Sequence, residues 1–157
     1  MNPFTASFWE AVGVAAACGA MIGVERQMRG KPAGIRTSML ICLGTTVFVR
    51  LGMEVGAASG VDPTRVLAQV VTGVGFIGAG VMLAREGLVR GVTSAAVIWT
   101  LAAIGSMVGL GHYAAAVVTA LIVLAVLTGV QYLEQGVRLL RRGDYARETE
   151  DSSTDQG

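Results

Sequence analysis

Three stretches of this chain, residues 66–84, 92–110 and 113–133, contain no charged side chain at all. A fourth, residues 8–24, carries only Glu10, near its start. Each is close to the ~20 residues a helix needs to cross a hydrocarbon core about 30 Å thick. Composition agrees: 53% of residues are apolar and 15% charged, against about 25% charged in an average soluble domain. Mean hydropathy is +0.62. The chain is therefore read as an all-α integral membrane protein.

Five spans are expected, at 8–24, 35–54, 66–84, 92–110 and 113–133. The last two need a break between them, because one helix over both would be about 60 Å long, twice the bilayer core. Gly109 and Gly111 mark where a tight turn can reverse the chain. Of the twelve Lys and Arg residues, ten fall on one side: Arg26, Arg29, Lys31, Arg36, Arg85, Arg90, Arg138, Arg141, Arg142 and Arg147. Only Arg50 and Arg65 fall on the other. The positive-inside rule then puts the N-terminus outside and the C-terminus in the cytoplasm. The first span lacks the basic flank of a cleaved signal peptide. Residues 1–142 form the membrane domain, and 143–157, "GDYARETEDSSTDQG", read as a short acidic disordered tail. Cys18 and Cys42 sit within apolar stretches and read as small buried residues.

"GVGFIG" at 73–78 matches the G-x-G-x-x-G of dinucleotide-binding loops. That loop must follow a strand and open a helix, with its amides free for a pyrophosphate. Here the match lies midway along an uncharged span, where helical hydrogen bonding occupies those amides. Helical geometry gives the glycines another purpose. Ala68, Thr72, Gly75 and Ala79 share one face, and Gly73, Gly80 and Ala84 another, with Gly78 in the same small-residue run. Lipid offers little hydrophobic drive between helices, so small residues that let backbones approach supply the attraction. Two small faces imply two close neighbours, which puts the third span at the centre of the bundle and leaves the Val70, Val74, Ile77 and Val81 sector tolerant. The alternative is an unwound helix lining an ion site.

Charged residues fall into a few groups. Glu25, Arg26, Arg29 and Arg36 surround the mouth of the first two spans, where they either fix topology against lipid phosphates or bind an anionic partner. Arg85 and Arg90 extend that patch. Asp62 is placed to cap the third helix, with Pro63 at its first position and Arg65 following. Glu25, Glu54 and Asp62 are the candidates for a metal, since a hard cation such as Mg²⁺ takes oxygen ligands. Arg50 lies about 20 Å along the second helix from Thr37, able to snorkel outward or pair with Glu54. Gln69 and Thr72 are expected to hydrogen-bond neighbouring helices. No nucleophile–base pair, phosphate loop or metal-ligand spacing is evident, and nothing points to nucleic acid.

"GVERQMRGKPAGIRTSML" (23–40), "DPTRVLAQVVTGVGFIGAGVML" (62–83) and "VRGVTSAAVIWTLAAIG" (89–105) resemble the signature blocks of the MgtC/SapB family, in the same order. The matching positions are Glu25, Arg26, Arg29, Gly34, Arg36 and Thr37, then Asp62, Arg65, Gln69, Gly73, Gly75, Gly78 and Gly80, then Arg90, Gly91, Thr93 and Trp99. Ser38 stands where many members have His or Asn, and many members carry a soluble C-terminal domain after the last helix. The resemblance implies a multi-pass protein of the bacterial inner membrane, linked to growth in limiting magnesium and, in pathogens, to survival inside host cells. It implies a non-enzymatic regulator of other membrane proteins, F-type ATP synthase among them, and allows a homo-oligomer. The alternative is a transporter or channel for Mg²⁺ or another small ion. No cofactor is implied beyond that ion.

Overall fold

The computed structural model describes residues 4–60, 62, 64–85 and 88–130. Helix α1 covers Ala6–Met28, α2 Ile35–Ser59, α3 Thr64–Gly80 and α4 Val92–Gly109. A two-stranded antiparallel hairpin, β1 Leu83–Arg85 and β2 Leu88–Arg90, joins α3 to α4. Helix α5 covers Tyr113–Val130. Four of the helices, α1, α2, α4 and α5, are long and apolar enough to cross a membrane, and α3 is a shorter apolar helix. The protein is a helical membrane bundle. Two compact units divide within α5, Met1–Ile122 and Val123–Gly157. In the second, Thr128 donates from Oγ1 to Leu124 O at 2.8 Å, satisfying its hydroxyl inside its own helix. The expected tail at 143–157 lies outside the described residues.

The helix ends follow from local chemistry. At the end of α1, Gly30 takes a left-handed φ of +61°. The Gly30 amide then reaches Gln27 O at 3.1 Å and the Lys31 amide reaches Arg26 O at 3.0 Å, closing the last turn. The same closure recurs after α4, where Gly111 N bonds Val108 O at 3.0 Å and His112 N bonds Met107 O at 2.8 Å. That turn is the break expected between the fourth and fifth spans. The third span was expected to reach residue 84, but α3 stops at Gly80. Its last amides tighten onto carbonyls three residues back, Val81 N to Gly78 O and Met82 N to Ala79 O. Ala84 therefore lies in β1 and not on a helix face. Gly91 closes the hairpin at φ +94°, and a Cβ there would fall on the Val81 carbonyl oxygen. Only glycine fits that crossing.

The centre of the first unit is α2, not α3. Gly19 and Gly23 of α1 face α2, where a Cβ on Gly19 would come 2.8 Å from Met39 Cα and one on Gly23 2.6 Å from Ile35 Cα. On the other side of α2, a Cβ on Gly105 of α4 would lie 2.6 Å from Cys42 O, and one on Gly109 2.7 Å from Val49 Cβ. Both pairs have the G-x-x-x-G spacing that puts two glycines on one helix face. Polar groups are satisfied across the same seam. Thr46 Oγ1 lies 2.8 Å from Cys42 O and 2.9 Å from Gly105 O, and Cys42 Sγ donates to Leu101 O at 3.3 Å.

The small faces of α3 fill no such role within the chain. Ala68, Thr72, Gly73, Gly75, Ala79 and Gly80 are exposed, and a Cβ on Gly73, Gly75 or Gly80 would meet nothing within 4 Å. Thr72 spends its hydroxyl on its own helix, at Ala68 O. A Cβ on Gly78 would come no nearer than 3.6 Å to Ala95 of α4, an ordinary contact. The buried side of α3 is the sector expected to be tolerant: Val74, with Val70 and Val81 behind it, joins Ile98 and Ala102 of α4, Ile41 of α2 and Ala33. The reason is steric. With α1 and α4 already against α2, the third helix is left to lean on α4.

Gly105→Leu should therefore destabilise the bundle by at least about 3 kcal/mol, because the clash is with backbone that cannot swing away. Gly75→Leu should stay within about 0.5 kcal/mol of the parent. Unfolding in micelles of rising sodium dodecyl sulfate content measures both, and equal losses would contradict the packing described.

Candidate functional site

Helix α1 runs one turn further than its apolar stretch, which carries Glu25 and Arg26 into the helix and under the 29–34 loop. Both are buried, at 7% and 2% exposure. Arg26 Nη2 donates to Ser94 Oγ at the start of α4 and lies 3.5 Å from Pro32 O. One guanidinium thus links α1, the loop and α4. Gln27 Oε1 accepts from the Ile35 amide at 3.3 Å, taking the place of an N-cap side chain on α2. Ser38 donates to Ala33 O at 3.0 Å, which helps hold Ala33 at its unusual φ of +61°. Glu25 Oε1 pairs with Arg29 Nε one turn on, without the alignment of a hydrogen bond, while Glu25 Oε2 and Arg26 Nε have no hydrogen-bond partner. Two cations around one carboxylate leave this buried cluster with a formal charge of +1.

The anion-binding group read from the sequence is therefore divided. Arg26 is committed to Ser94 and the loop, and Arg29 to Glu25. Arg36 and Arg90 are exposed, and the Arg85 side chain lies outside the described set. Ser94, which carries the long-range contact, was not singled out in the sequence. Its neighbour Thr93, a family-motif position, is exposed, as is Trp99 at 53%. No local signal could have found a partner 68 residues away.

At the opposite end, Arg50 of α2 makes two long-range hydrogen bonds. It donates to Ser7 O at 3.2 Å and to the Tyr113 hydroxyl at 2.8 Å, joining the starts of α1 and α5 to α2. Asp62 Oδ1 accepts from the Thr64 amide at 2.9 Å, the capping contact read from the sequence. The Thr64 amide and hydroxyl, with Arg65 nearby, hold the Asp62 carboxyl below the usual carboxylate range. Among the described residues no three His, Cys, Asp or Glu side chains gather as metal ligands, so Glu25, Glu54 and Asp62 are not brought together.

Thr37 and Gln69 both line a groove of about 650 Å³ between α2 and α3. Its walls are Thr37, Leu40, Ile41, Gly44, Thr45 and Phe48 on one side and Val66, Gln69, Val70, Gly73, Val74 and Ile77 on the other.

With this geometry in hand, the sequence comparisons have a structural meaning. The family model described as "MgtC family" matches residues 12–136, which takes in most of α1 and all of α2 to α5. The chain belongs to the MgtC family. It is 53% identical over 106 residues to "Putative magnesium transporter YhiD" of Escherichia coli K12, covering 63% of this chain and 48% of that one. It is 45% identical over 107 residues to "Protein MgtC" of Salmonella typhimurium LT2, covering 68% and 45%. With "Protein MgtC" of Brucella abortus it shares 37% over 146 residues, covering 87% and 60%. The chain thus spans about half the length of these curated relatives. No solved structure matches it. In this MgtC-family chain, residues 12–136 contain the glycine seams, the buried cluster and the groove alike.

Breaking the cluster should be costly in proportion to what is left unpaired. Ser94→Ala removes one hydrogen bond to a charged group, about 1.5–3 kcal/mol. Arg26→Ala also strands Glu25 beside a single cation, and should cost about 3–5 kcal/mol. Arg26→Lys should not rescue, since a lysine ammonium ends one bond short of the Nη2 that reaches both Pro32 O and Ser94 Oγ. Detergent unfolding of the three variants checks this order, and parent-like stability in Arg26→Ala would remove the cluster's structural role.

Proposed function

We propose that this MgtC-family chain is a non-enzymatic protein of the bacterial inner membrane that acts by lateral association with other membrane proteins during magnesium limitation. The observation that carries this reading is the open face of α3. Ala68, Thr72, Gly75 and Ala79 permit a close backbone approach, yet no described residue occupies the space beyond Gly73, Gly75 or Gly80. In lipid such a face attracts another helix through packing and not through hydrophobic burial. The partner is another membrane protein, with F-type ATP synthase implied by the family resemblance, or a second copy of the chain. The connection to magnesium and stress adaptation rests on kinship with proteins named MgtC and YhiD. Cytoplasmic placement of the basic end rests on the positive-inside rule.

A second reading, a carrier for Mg²⁺ or another small ion, draws on Glu25 Oε2, a buried carboxylate oxygen without a donor. Arg26 and Arg29 beside it oppose cation binding there.

The two are separated by experiment. Purified protein in liposomes loaded with a Mg²⁺-sensitive dye should give no saturable flux. In a bacterial host lacking its own family member, Gly75→Leu and Ala79→Leu should abolish rescue of growth in low magnesium while protein abundance stays normal. Saturable flux that disappears in Glu25→Gln would overturn the association reading.

A further inference from the structure

The groove between α2 and α3 is defined well enough to ask what fits it. The two helices touch where Gly52 meets Val66, so closely that a Cβ on Gly52 would come 2.5 Å from Val66 Cγ2. From that contact they diverge towards the basic end, with Ile98 and Ala102 of α4 behind Val74. On α2 the walls run from Thr37 to Phe48, and on α3 from Val66 to Ile77. Eleven residues at about 1.5 Å each give a length near 16 Å, half of the ~30 Å hydrocarbon core and so the depth of one leaflet. Spread over that length, 650 Å³ leaves room for an acyl chain laid along the two helices.

The wall is mostly apolar, with Thr37, Thr45 and Gln69 its polar members. An extended peptide would leave its backbone amides and carbonyls unpaired there, each at a cost in free energy. A hydrocarbon chain carries no such groups. The mouth adds a charge. Arg36 stands beside Thr37 on the first turn of α2, exposed, with no hydrogen bond or ion pair to any described residue. Basic pockets between membrane helices suit acidic lipid headgroups.

We propose that the α2–α3 groove is a binding site for one acidic phospholipid of the leaflet at the basic end, with an acyl chain between the helices and its phosphate on Arg36 and the Thr37 hydroxyl. The site is independent of whether the protein associates laterally or carries an ion. It differs from the lipid that coats any membrane helix, because it is walled on two sides and closed at its far end by Gly52 and Val66.

Two glycines make the proposal testable. Gly44 and Gly73 line the groove, and a Cβ on either would meet nothing within 4 Å. A leucine at either position fills the slot without displacing a neighbour. Gly75, equally open but outside the groove, is the control. The full chain is delipidated in mild detergent, mixed with phosphatidylglycerol or phosphatidylcholine, and read by native mass spectrometry, with helicity checked by circular dichroism. The expected result is one phosphatidylglycerol retained per chain in the parent and in Gly75→Leu. Retention should fall at least about tenfold in Gly44→Leu and in Gly73→Leu. Arg36→Gln should lose the preference for phosphatidylglycerol over phosphatidylcholine while still binding lipid. Equal retention in all variants, or no retention in the parent, would overturn the site. So would a second protein chain held in place of the lipid.

Discussion

Backbone-to-backbone approach on α2, made by Gly19 and Gly23 from one side and Gly105 and Gly109 from the other, sets the rest of the arrangement. Apolar side chains gain little by leaving lipid for each other, so a membrane bundle depends on density of packing and on hydrogen bonds made across the seam. The glycines supply the density. Thr46 and Cys42, with carbonyls of α2 and α4 as acceptors, supply the bonds. Once α2 is flanked in this way, α3 approaches it most tightly near Gly52 and Val66 and rests chiefly on α4. The open groove and the exposed small face of α3 both result.

Arginines then tie off the two ends. At the basic end Arg26 reaches from α1 to Ser94 and to the loop before α2, so the polar crossing of the chain is made inside the protein and not in lipid. At the other end Arg50 ties the starts of α1 and α5 to α2. Charges within membrane-spanning segments are expensive and are found facing protein or water. Both arginines conform, which leaves the outer faces of the helices free for lipid or a partner.

Much of this was legible in the sequence, and the part that was not has a physical cause. Helix number, the turn at Gly111 and the Asp62 cap depend on residues close in the chain, where composition and local geometry suffice. The role of α3 was misread because small residues state only that a close approach is allowed, not which chain provides the neighbour. Gly19 and Gly23, at the same spacing as many pairs on α3, are filled from within, while Gly75 and Gly80 are not. Arg26 could be seen as a cation at a helix mouth, but its partner Ser94 is a matter of tertiary folding. The hairpin at 83–90 was missed because its strands are three residues each, too short to show an alternating pattern.

The central claim is that α3 presents its small face outward, to a neighbour other than its own chain. The most direct measurement places a photo-reactive side chain in turn at each α3 position from 68 to 79, in native membranes, and resolves the adducts by mass. Protein adducts at Ala68, Thr72, Gly75 and Ala79, with none from another chain at Val74 and Gly78, are the predicted result. Adducts to lipid alone at all four outward positions would contradict it.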